Sequence, residues 1–504
     1  MTEATGERIV VALITCILVP LILFLMSEGA AKLIDFLHPP ASGSLPLSVF
    51  SARKKKVSRR KWRFATRLYK EGKFDEASTL FADMLSRFEA AGSAPGTASA
   101  GFMLGYCAQR LGRNEEAIKA YKRATAMPPP EPIDVWLLAL RSLSYCQAKL
   151  EDFSAAIETF IRLSQICKEK GKHDESVKAL ATLANTLVHR GRVDEASAWF
   201  AKALELSQEC GVEGRRAVLH DYSLLLHLMG RTRESVRYLR EAVELLSRSA
   251  DLSVQAHMHS SLSYFLRAVG DIQEADKISQ KAIELSTQSG AVPASLYALH
   301  SRAILEWARG NRDKTFELLD RAETMPQMQE DPLVLRNRRV LLLLTRAWYK
   351  EEIGEFGEAL ALVDKAEPLI GDLALELAAE LWRTRTLALA KSGQWSQARL
   401  LLSSDSRFVA ARTIPYHNAQ YEQALGVIAF GAKEYPAAVA SLGRAWEFFE
   451  TAGQVRDAAI ASKHLAIVCR GMGDHALADE YRQKSVAIFV AMGDAVSAGE
   501  VAKL

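Results

Sequence analysis

The chain has 504 residues, of which 49% are apolar and 25% are charged. This balance is that of a folded protein and excludes a long disordered or low-complexity chain. The formal net charge is +4, but eight of the basic residues stand in one short segment near the N-terminus, which leaves the rest of the chain mildly acidic. Because an acidic body is poorly suited to coat a polyanion, we expect no nucleic-acid partner.

Residues 1–8 form a short tail ahead of an uncharged apolar run at residues 9–26, IVVALITCILVPLILFLM. A helix over this run would be roughly 27 Å long, about the thickness of the hydrocarbon core of a bilayer. The run therefore predicts a single transmembrane anchor. A cleaved signal peptide is the alternative, because Ser27-Glu28-Gly29 offers a small-residue cleavage site, although the acidic residues ahead of the run are unusual for such a peptide.

Residues 27–57 are predicted to be a linker rich in Pro, Gly and Ser that runs into a basic cluster. The members of this juxtamembrane cluster are Arg53, Lys54, Lys55, Lys56, Arg59, Arg60, Lys61 and Arg63. Basic residues on this side of the apolar run predict that the body of the chain is cytoplasmic, whereas the reverse topology would make it exported or periplasmic. The cluster either contacts anionic lipid headgroups or serves only as a topology signal.

Residues 58–493 repeat one pattern about every 40 residues, eleven times. In each unit a Gly ends one helix and a small residue follows five positions later in the next helix. The pairs are Gly72/Ala77, Gly112/Ala117, Gly191/Ala196, Gly230/Ser235, Gly270/Ala275, Gly310/Thr315, Gly354/Ala359, Gly393/Ala398 and Gly473/Ala478. Two further units keep the Ala and have Glu151 or Lys433 in place of the Gly. This period predicts tandem hairpins of two helices.

Two further positions in the unit explain how its helices pack. A small residue stands seven positions before the Gly, as Gly105 does, and a large apolar residue stands nine positions after it, as Tyr121 does. The small residue lets the first helix approach its partner, and the Gly permits the positive φ that stops that helix. One hairpin cannot bury its own apolar face, so neighbouring hairpins must share a core.

The pattern resembles the tetratricopeptide repeat. Its marked positions are occupied in LGYCAQRLGRNEEAIKAYKRATAMP by Leu104, Gly105, Gly112, Ala117, Tyr121, Ala124 and Pro128, and in ALGVIAFGAKEYPAAVASLGRA by Leu425, Gly426, Tyr435, Ala438 and Ala445. The family repeat is usually about 34 residues, so the longer unit here is similar to the long-helix branch of the family. The resemblance implies an all-α fold, a right-handed solenoid of antiparallel hairpins after one transmembrane helix, with residues 494–504 as a C-terminal tail.

In this family the first helix of each hairpin lines the concave groove that receives partners. Carried over to this sequence, the resemblance implies a candidate partner-binding groove made of Trp62, Tyr69, Phe102, Tyr106, Arg141, Tyr145, Asn185, Tyr264 and Trp307, with His220 and His300 in the same helices. Aromatic side chains with Arg and Asn suit a bound peptide or helix. The alternative is that these rings form core between the repeats.

Arg302, Arg346 and Arg385 occupy the same repeat position in three successive units, where the family often has Leu. Stacked, they would form a basic stripe that binds carboxylates or a phosphorylated partner. The alternative is that each Arg pairs with an acidic residue of a neighbouring helix.

Motifs of catalysis do not occur: we find no phosphate-binding loop, nucleophile elbow or zinc-protease motif, and no two cysteines have C-x-x-C spacing. We therefore expect no catalytic, cofactor or metal site and no enzyme. The sequence predicts a membrane-anchored scaffold or adaptor that binds partner proteins or peptides through its concave face. The alternatives are a regulatory sensor of a peptide or small ligand and an exported or periplasmic assembly factor.

Overall fold

The computed structural model of the chain describes residues 59–188, 190–246, 251–325, 332–370, 375–404 and 411–504. The predicted anchor, the linker and the first four members of the basic cluster lie outside these residues. Within the described ranges, no helix is both long enough and apolar enough to cross a membrane. The anchor at residues 9–26 therefore stays a prediction.

The described residues fold into helices that pair as eleven hairpins, as the repeat predicts. In chain order the pairs are α1 Arg59–Lys70 with α2 Phe74–Ala90, α3 Ala94–Arg110 with α4 Asn114–Ala124, α5 Asp134–Lys149 with α6 Phe153–Glu169, α7 His173–Val188 with α8 Val193–Leu206, α9 Val212–Leu228 with α10 Thr232–Glu244, α11 Leu252–Ala268 with α12 Ile272–Ser289, α13 Val292–Ala308 with α14 Arg312–Glu323, α15 Pro332–Glu352 with α16 Phe356–Ala366, α17 Leu375–Lys391 with α18 Trp395–Ser404, α19 Pro415–Gly431 with α20 Tyr435–Thr451, and α21 Val455–Gly471 with α22 His475–Met492. One more helix, α23 Ala495–Ala502, follows the last pair.

The turn inside each hairpin has the backbone conformation that the sequence predicts. All nine turn glycines of the repeat have φ between 70° and 87°. Glu151 and Lys433, which replace Gly in two units, adopt the same conformation with φ of 64° and 62°. These two residues show that the turn geometry is imposed by the packing of the hairpin even where the side chain disfavours it.

Replacing Lys433 with Gly should stabilise the chain, because the exposed Lys433 is held in the left-handed region at a cost that Gly avoids. We expect the free energy of unfolding to rise by about 0.5–1 kcal/mol in urea titrations of the full chain. Gly393→Ala is the matched control, at a turn with φ of 87° where an added Cβ would meet no described atom within 4 Å. Gly393→Ala should lower the free energy of unfolding. If both substitutions changed it in the same direction, backbone conformation would not be the cause.

The small residues of the first helices allow close contact with the second helices. A Cβ on Gly105 would lie 2.6 Å from the ring of Tyr121, and a Cβ on Gly426 would lie 2.5 Å from the side chain of Leu442. Both large residues are fully buried, and the Tyr121 hydroxyl donates to Gln109 Oε1 at 2.9 Å. The predicted packing of small against large residues is thus confirmed in both hairpins.

Gly105→Val should destabilise the chain by about 1–3 kcal/mol, because the added methyl groups overlap the Tyr121 ring. In a double-mutant cycle with Tyr121→Ala, the two losses should be less than additive, since removing the ring makes room for Val. Gly443→Val is the control, because Gly443 lies inside α20 with no described atom within 4 Å of its would-be Cβ. Equal losses at positions 105 and 443 would show that helix propensity, not contact, decides the effect.

The described residues divide into two compact units. The first comprises residues 59–186 and 201–214, and the second comprises residues 187–200 and 215–504. In the first unit, Phe81, Phe160 and the ring of Tyr121 are fully buried between helices, and their repeat spacing gives the unit a continuous core.

The second unit closes on itself, because its last two hairpins lie against the turns of hairpins five, six and seven. A Cβ on the three turn glycines of those hairpins would lie 2.8 to 3.3 Å from a side chain near the end of the chain; the pairs are Gly230 with Phe448, Gly270 with Val455 and Gly310 with Asp494. Gly is therefore required at these positions for two reasons: the positive φ of the turn and the close approach of the last hairpins. Gln454 Nε2 adds a hydrogen bond to the carbonyl of His227 at 3.4 Å.

Residues 494–504 differ from the tail that the sequence suggested. Asp494 accepts a hydrogen bond from the backbone N–H of Ser497 at 2.9 Å and starts helix α23. Ala498 and Val501 of this helix pack against Phe489 of α22. Without α23 the apolar face of the last hairpin would be open to water, so this segment acts as a structural cap.

Candidate functional site

The second unit contains a partly open cavity of about 160 Å³. All of its lining residues come from the first helices of hairpins five to eleven, namely α9, α11, α13, α15, α17, α19 and α21. The expectation that first helices face inward therefore holds for this unit. The charged and hydrogen-bonding members of the lining are His227, Tyr264, Arg267, His300, Thr345, Glu380, Arg383, Tyr416, His417, Gln420, Gln423, Arg456 and Asp457.

Arg456 in the cavity wall is neutralised by Glu352 at the end of α15. Its two terminal nitrogens donate to the two carboxylate oxygens at 2.9 Å each, and Trp307 Nε1 donates to the same carboxylate at 2.7 Å. Burial acts to raise the pKa of Glu352, but the charge and hydrogen bonds of Arg456 outweigh it and hold this pKa at about 2. The pair joins hairpin eight to hairpin eleven and so also maintains the closure of the unit.

Arg383 is neutralised by Glu380 on the same helix at 3.0 Å. Gln420 Nε2 donates to the other oxygen of Glu380 at 3.0 Å, which leaves Gln420 Oε1 to accept from His417 Nδ1 at 3.0 Å. This arrangement makes Nδ1 of His417 the donor to Gln420. The buried Nε2 of His417 has no partner among the described residues.

Among the described residues, Arg267 and Asp457 are the two charges of the lining without an ion-pair partner. Arg267 is 7% exposed and lies over the ring of Tyr264 at 5.0 Å; its Nε finds no hydrogen-bond partner, and no carboxylate within 4.0 Å, in the part of the chain that the structure describes. Burial raises the pKa of Asp457, and the charge of Arg267 partly offsets this effect. The two groups therefore influence each other across the cavity without forming an ion pair.

Two histidines of the cavity wall, His227 and His300, are held neutral. Burial lowers the pKa of His227 to about 3, with a smaller contribution from the charge of Arg267, and burial lowers the pKa of His300 to about 4. His300 Nε2 lies 2.9 Å from Thr345 Oγ1, and His227 Nδ1 lies 3.2 Å from Thr232 Oγ1. Both rings therefore add hydrogen-bonding groups to the wall without adding charge.

The family model of the tetratricopeptide repeat matches residues 61–129, 137–209 and 175–248. Residues 61–248 thus carry tetratricopeptide repeats. The predicted resemblance is confirmed for this part of the chain, and the hairpins that follow it continue the same register. No curated protein matches the chain in sequence.

Several solved structures show a low similarity to this chain. The human IFIT1 dimer with PPP-AAAA is 16% identical, covers 78% of this chain and 90% of its own, and superposes with a TM-score of 0.43. The apo form of the quorum sensor NprR from B. thuringiensis is 12% identical over 69% of this chain and 97% of its own, with a TM-score of 0.41. A tetratricopeptide repeat protein from Parabacteroides merdae is 16% identical over 56% of this chain and 98% of its own, with a TM-score of 0.36.

The aromatic residues of the predicted groove are mostly buried between the helices of the tetratricopeptide repeats. Trp62 packs edge-on against Phe81 at 5.3 Å, Phe102 lies 6.0 Å from Tyr121, and other members of the set pack in the same way. The buried members are Trp62, Tyr69, Phe102, Tyr106, Asn185 and Trp307. For these residues the exposed groove is corrected to a core between repeats, which was the alternative interpretation.

The remaining groove residues have different surroundings. Arg141 forms an ion pair with Glu175 at 2.7 Å, and Tyr145 is half-buried. Tyr264 lies in the wall of the cavity, beside Arg267. One member of the predicted groove therefore belongs to the cavity of the second unit.

The predicted basic stripe is corrected to a row of ion pairs. Each Arg pairs with an acidic residue of the preceding hairpin, as the alternative interpretation had it: Arg302 with Asp276 at 2.7 Å, Arg346 with Asp320 at 2.5 Å, and Arg385 with Asp364 at 2.7 Å. The acidic partners are exposed, so each pair contributes only about 0–1 kcal/mol. The arginines tie successive repeats together and have no spare charge for a ligand.

The described members of the basic cluster begin helix α1. Lys61 forms an ion pair with Asp83 of α2 at 2.6 Å, whereas Arg60 and Arg63 are exposed on its outer face. The predicted contact of this cluster with lipid headgroups stays a prediction.

The repeat register gives a partial signal for the charges of the cavity. Arg267 stands three positions before its turn glycine, Arg383 stands ten before, and Arg456 stands seventeen before. These offsets differ by seven residues, or about two helical turns, so the three arginines lie on the same face of their first helices at different heights. The register does not say which residues of that face converge on one cavity.

Proposed function

We propose that this chain is a regulatory scaffold without chemistry of its own, in which the second unit takes a small polar ligand into its cavity and the repeats hold a protein or peptide partner. The single observation that carries this proposal is that three buried side-chain nitrogens around one cavity, Arg267 Nε, His417 Nε2 and Gln423 Nε2, have no partner among the described residues. A catalytic role has no support in the wall, because its ionised groups are engaged in ion pairs or separated from one another.

Folding alone does not account for these groups. A buried donor or acceptor without a partner costs about 1–3 kcal/mol, and a buried charge without a partner costs more. Leu or Met at the positions of Arg267 and Asp457 would fill the cavity and remove that cost. Side chains that disfavour the empty state and converge on one cavity are the usual mark of a binding site.

The cavity is also placed to influence the shape of the unit. Arg456 lies in its wall and at the same time forms, with Glu352, the contact between hairpins eight and eleven. A ligand that binds the closed arrangement more tightly than an open one must shift the population towards closure. A partner that recognises either arrangement would then respond to the ligand.

The ligand is tested by thermal unfolding of the full chain with sets of small polar compounds: amino acids, organic acids, amines, sugars and inorganic phosphate. At least one class should raise the Tm of the wild type. Ile304→Phe adds bulk to the cavity wall and should abolish this rise, whereas Ile304→Val, which leaves the cavity open, should keep it. No rise with any class would contradict the proposal.

The partner is tested by crosslinking the full chain in its native cells, followed by mass spectrometry. The set of crosslinked proteins should change between wild type and Ile304→Phe, because the filled cavity no longer responds to the ligand. An unchanged set of crosslinked proteins would mean that the cavity does not influence partner binding. Recovery of nucleic acid in place of protein would overturn the expected partner class.

We further propose that residues 9–26 tether the chain to a membrane with the repeats in the cytoplasm. The support is the uncharged apolar run and the basic cluster that follows it. A reporter fused to the C-terminus should be active only in its cytoplasmic form. Activity of a reporter that works outside the cytoplasm would favour the exported alternative.

A further inference from the structure

We infer that the cavity of the second unit binds a small aliphatic amino acid as its zwitterion, with the ligand carboxylate on Arg267 and the ligand ammonium on Asp457. This inference rests on the proposed function, since it names the ligand class of the same cavity. It follows from the balance of charge in the wall, the groups left unpartnered there, and the size of the space.

The balance of charge leaves one group of each sign. Three arginines and two carboxylates line the cavity. Glu352 engages Arg456 from outside the lining, and Glu380 engages Arg383 within it. What remains is Arg267 and Asp457, a single cation and a single anion that do not pair with each other. An anionic ligand would leave the half-buried Asp457 without a counter-charge and a cationic ligand would leave the buried Arg267 without one, whereas a zwitterion satisfies both.

The hydrogen-bonding groups near these charges have the matching polarity. Arg267 Nε and Gln423 Nε2 are buried donors without partners in the described chain, and both suit a carboxylate. The carboxylate of Asp457 suits an ammonium, and the buried Nε2 of His417, without a partner in the described chain, lies in the same wall. Arg267, Gln423 and His417 are each more than nine-tenths buried, so a ligand would displace little bulk water from them.

The size of the space limits the ligand to a small amino acid. An engineered protein cavity of about 150 Å³ accepts one benzene molecule, so a space of this size holds roughly six non-hydrogen atoms. Alanine has that number. The rest of the wall is apolar, with Leu224, Ile304 and Leu344 among its residues, and favours an aliphatic side chain over a polar one. Leucine and tryptophan should be excluded on size.

The first test compares three ligands on the full-length wild-type chain: L-alanine, propionate, which lacks the ammonium, and ethylamine, which lacks the carboxylate. We expect alanine to raise the Tm and to bind at one site in calorimetry, and we expect each singly charged ligand to bind about tenfold more weakly or less. If propionate or ethylamine bound as tightly as alanine, the inference that the ligand is a zwitterion would be wrong.

The second test uses variants whose effect a structural defect would not imitate. Asp457→Asn should weaken the binding of alanine about tenfold or more. It should at the same time strengthen the binding of propionate, because the unpaired negative charge is gone. Arg267→Met should weaken the binding of alanine and strengthen the binding of ethylamine, because the unpaired positive charge is gone. Asp479→Asn, at an exposed position that pairs with Arg482, should change none of the three affinities. Unchanged alanine binding in both cavity variants would overturn the assignment of the two poles.

The outcomes separate this inference from the function on which it rests. If a sugar or an organic acid stabilises the wild type but not Ile304→Phe, the cavity is a ligand site and the amino acid is the wrong class. If no compound stabilises the wild type, the ligand-binding function fails with it. Stabilisation by alanine that persists in Ile304→Phe would place alanine outside the cavity and overturn the inference.

Discussion

Replacing Glu352 with Gln is expected to lower the free energy of unfolding of the second unit by about 3–5 kcal/mol. The substitution keeps the size of the side chain but removes the charge that neutralises the buried Arg456, which is 3% exposed. The nearest other carboxylate is that of Asp494, 4.0 Å away, and it is itself fully buried. At about 2–4 °C for each kcal/mol in a unit of this size, the Tm of the full chain should fall by roughly 10 °C.

The matched control is Glu367→Gln, which removes a carboxylate that pairs with Arg385 at 2.9 Å but is half exposed. Water replaces the lost partner there, so the loss should stay below about 1 kcal/mol. The double variant Glu352→Leu with Arg456→Met should recover much of the stability, because it leaves no charge unpaired. Hydrogen exchange should show the loss in Glu352→Gln concentrated where hairpins eight and eleven meet. Equal effects of the two Gln substitutions would refute the view that burial decides the cost.

The hairpins could be predicted from the sequence because their packing is local. Gly105 and Tyr121 belong to the same unit, and the pattern of small and large residues behind their contact recurs in most units. The turn glycines have a local cause as well, namely the positive φ that ends the first helix. Repetition makes such causes visible, since one unit after another obeys them.

The closure of the second unit could not be predicted in this way. Arg456 and Glu352 stand 104 residues apart, and their meeting depends on the curvature accumulated over four hairpins. A small change of angle in each hairpin would separate them, and the repeat pattern does not encode that angle. The cavity exists because the unit closes. The repeat pattern therefore does not predict which charged residues converge there.

The groove prediction was wrong for most of its aromatic members because side chains of the first helices face neighbouring helices as well as the concave side. Trp62 and Phe102 pack against the large residues of second helices, which the repeat itself marks as buried. Tyr264 lies beside the cavity because in its hairpin the concave side is enclosed. Tyr106 and Tyr264 both stand six positions before their turn glycine, but Tyr106 packs beside Phe102 whereas Tyr264 lies in the cavity wall, so residues of one repeat position can have different surroundings.

Acidification from pH 7.5 to pH 4.5 should destabilise the second unit through its buried histidines. Burial holds the pKa of His227 at about 3 and that of His300 at about 4, and it also lowers the pKa of His257 and His464. The unfolded chain takes up a proton on each ring below about pH 6.5, while the folded chain does not, so the free energy of unfolding falls as the pH falls. The slope is about 1.36 kcal/mol per pH unit for each histidine, or about 2.7 kcal/mol each at pH 4.5.

Glu352 titrates in a different pH range from the buried histidines, so the effect of the histidines on stability can be measured separately. Glu352, with its pKa lowered to about 2, stabilises the fold fully above pH 4.5 and loses that contribution only as the pH falls from there towards 2. Urea midpoints of the full chain between pH 7.5 and 4.5 should therefore report the buried rings. His300→Gln should reduce the slope by about one proton, and the exposed His475, replaced in the same way, is the matched control. A slope that His300→Gln leaves unchanged would mean that this ring is charged in the folded state, which its single hydrogen bond to Thr345 in an otherwise buried position does not favour.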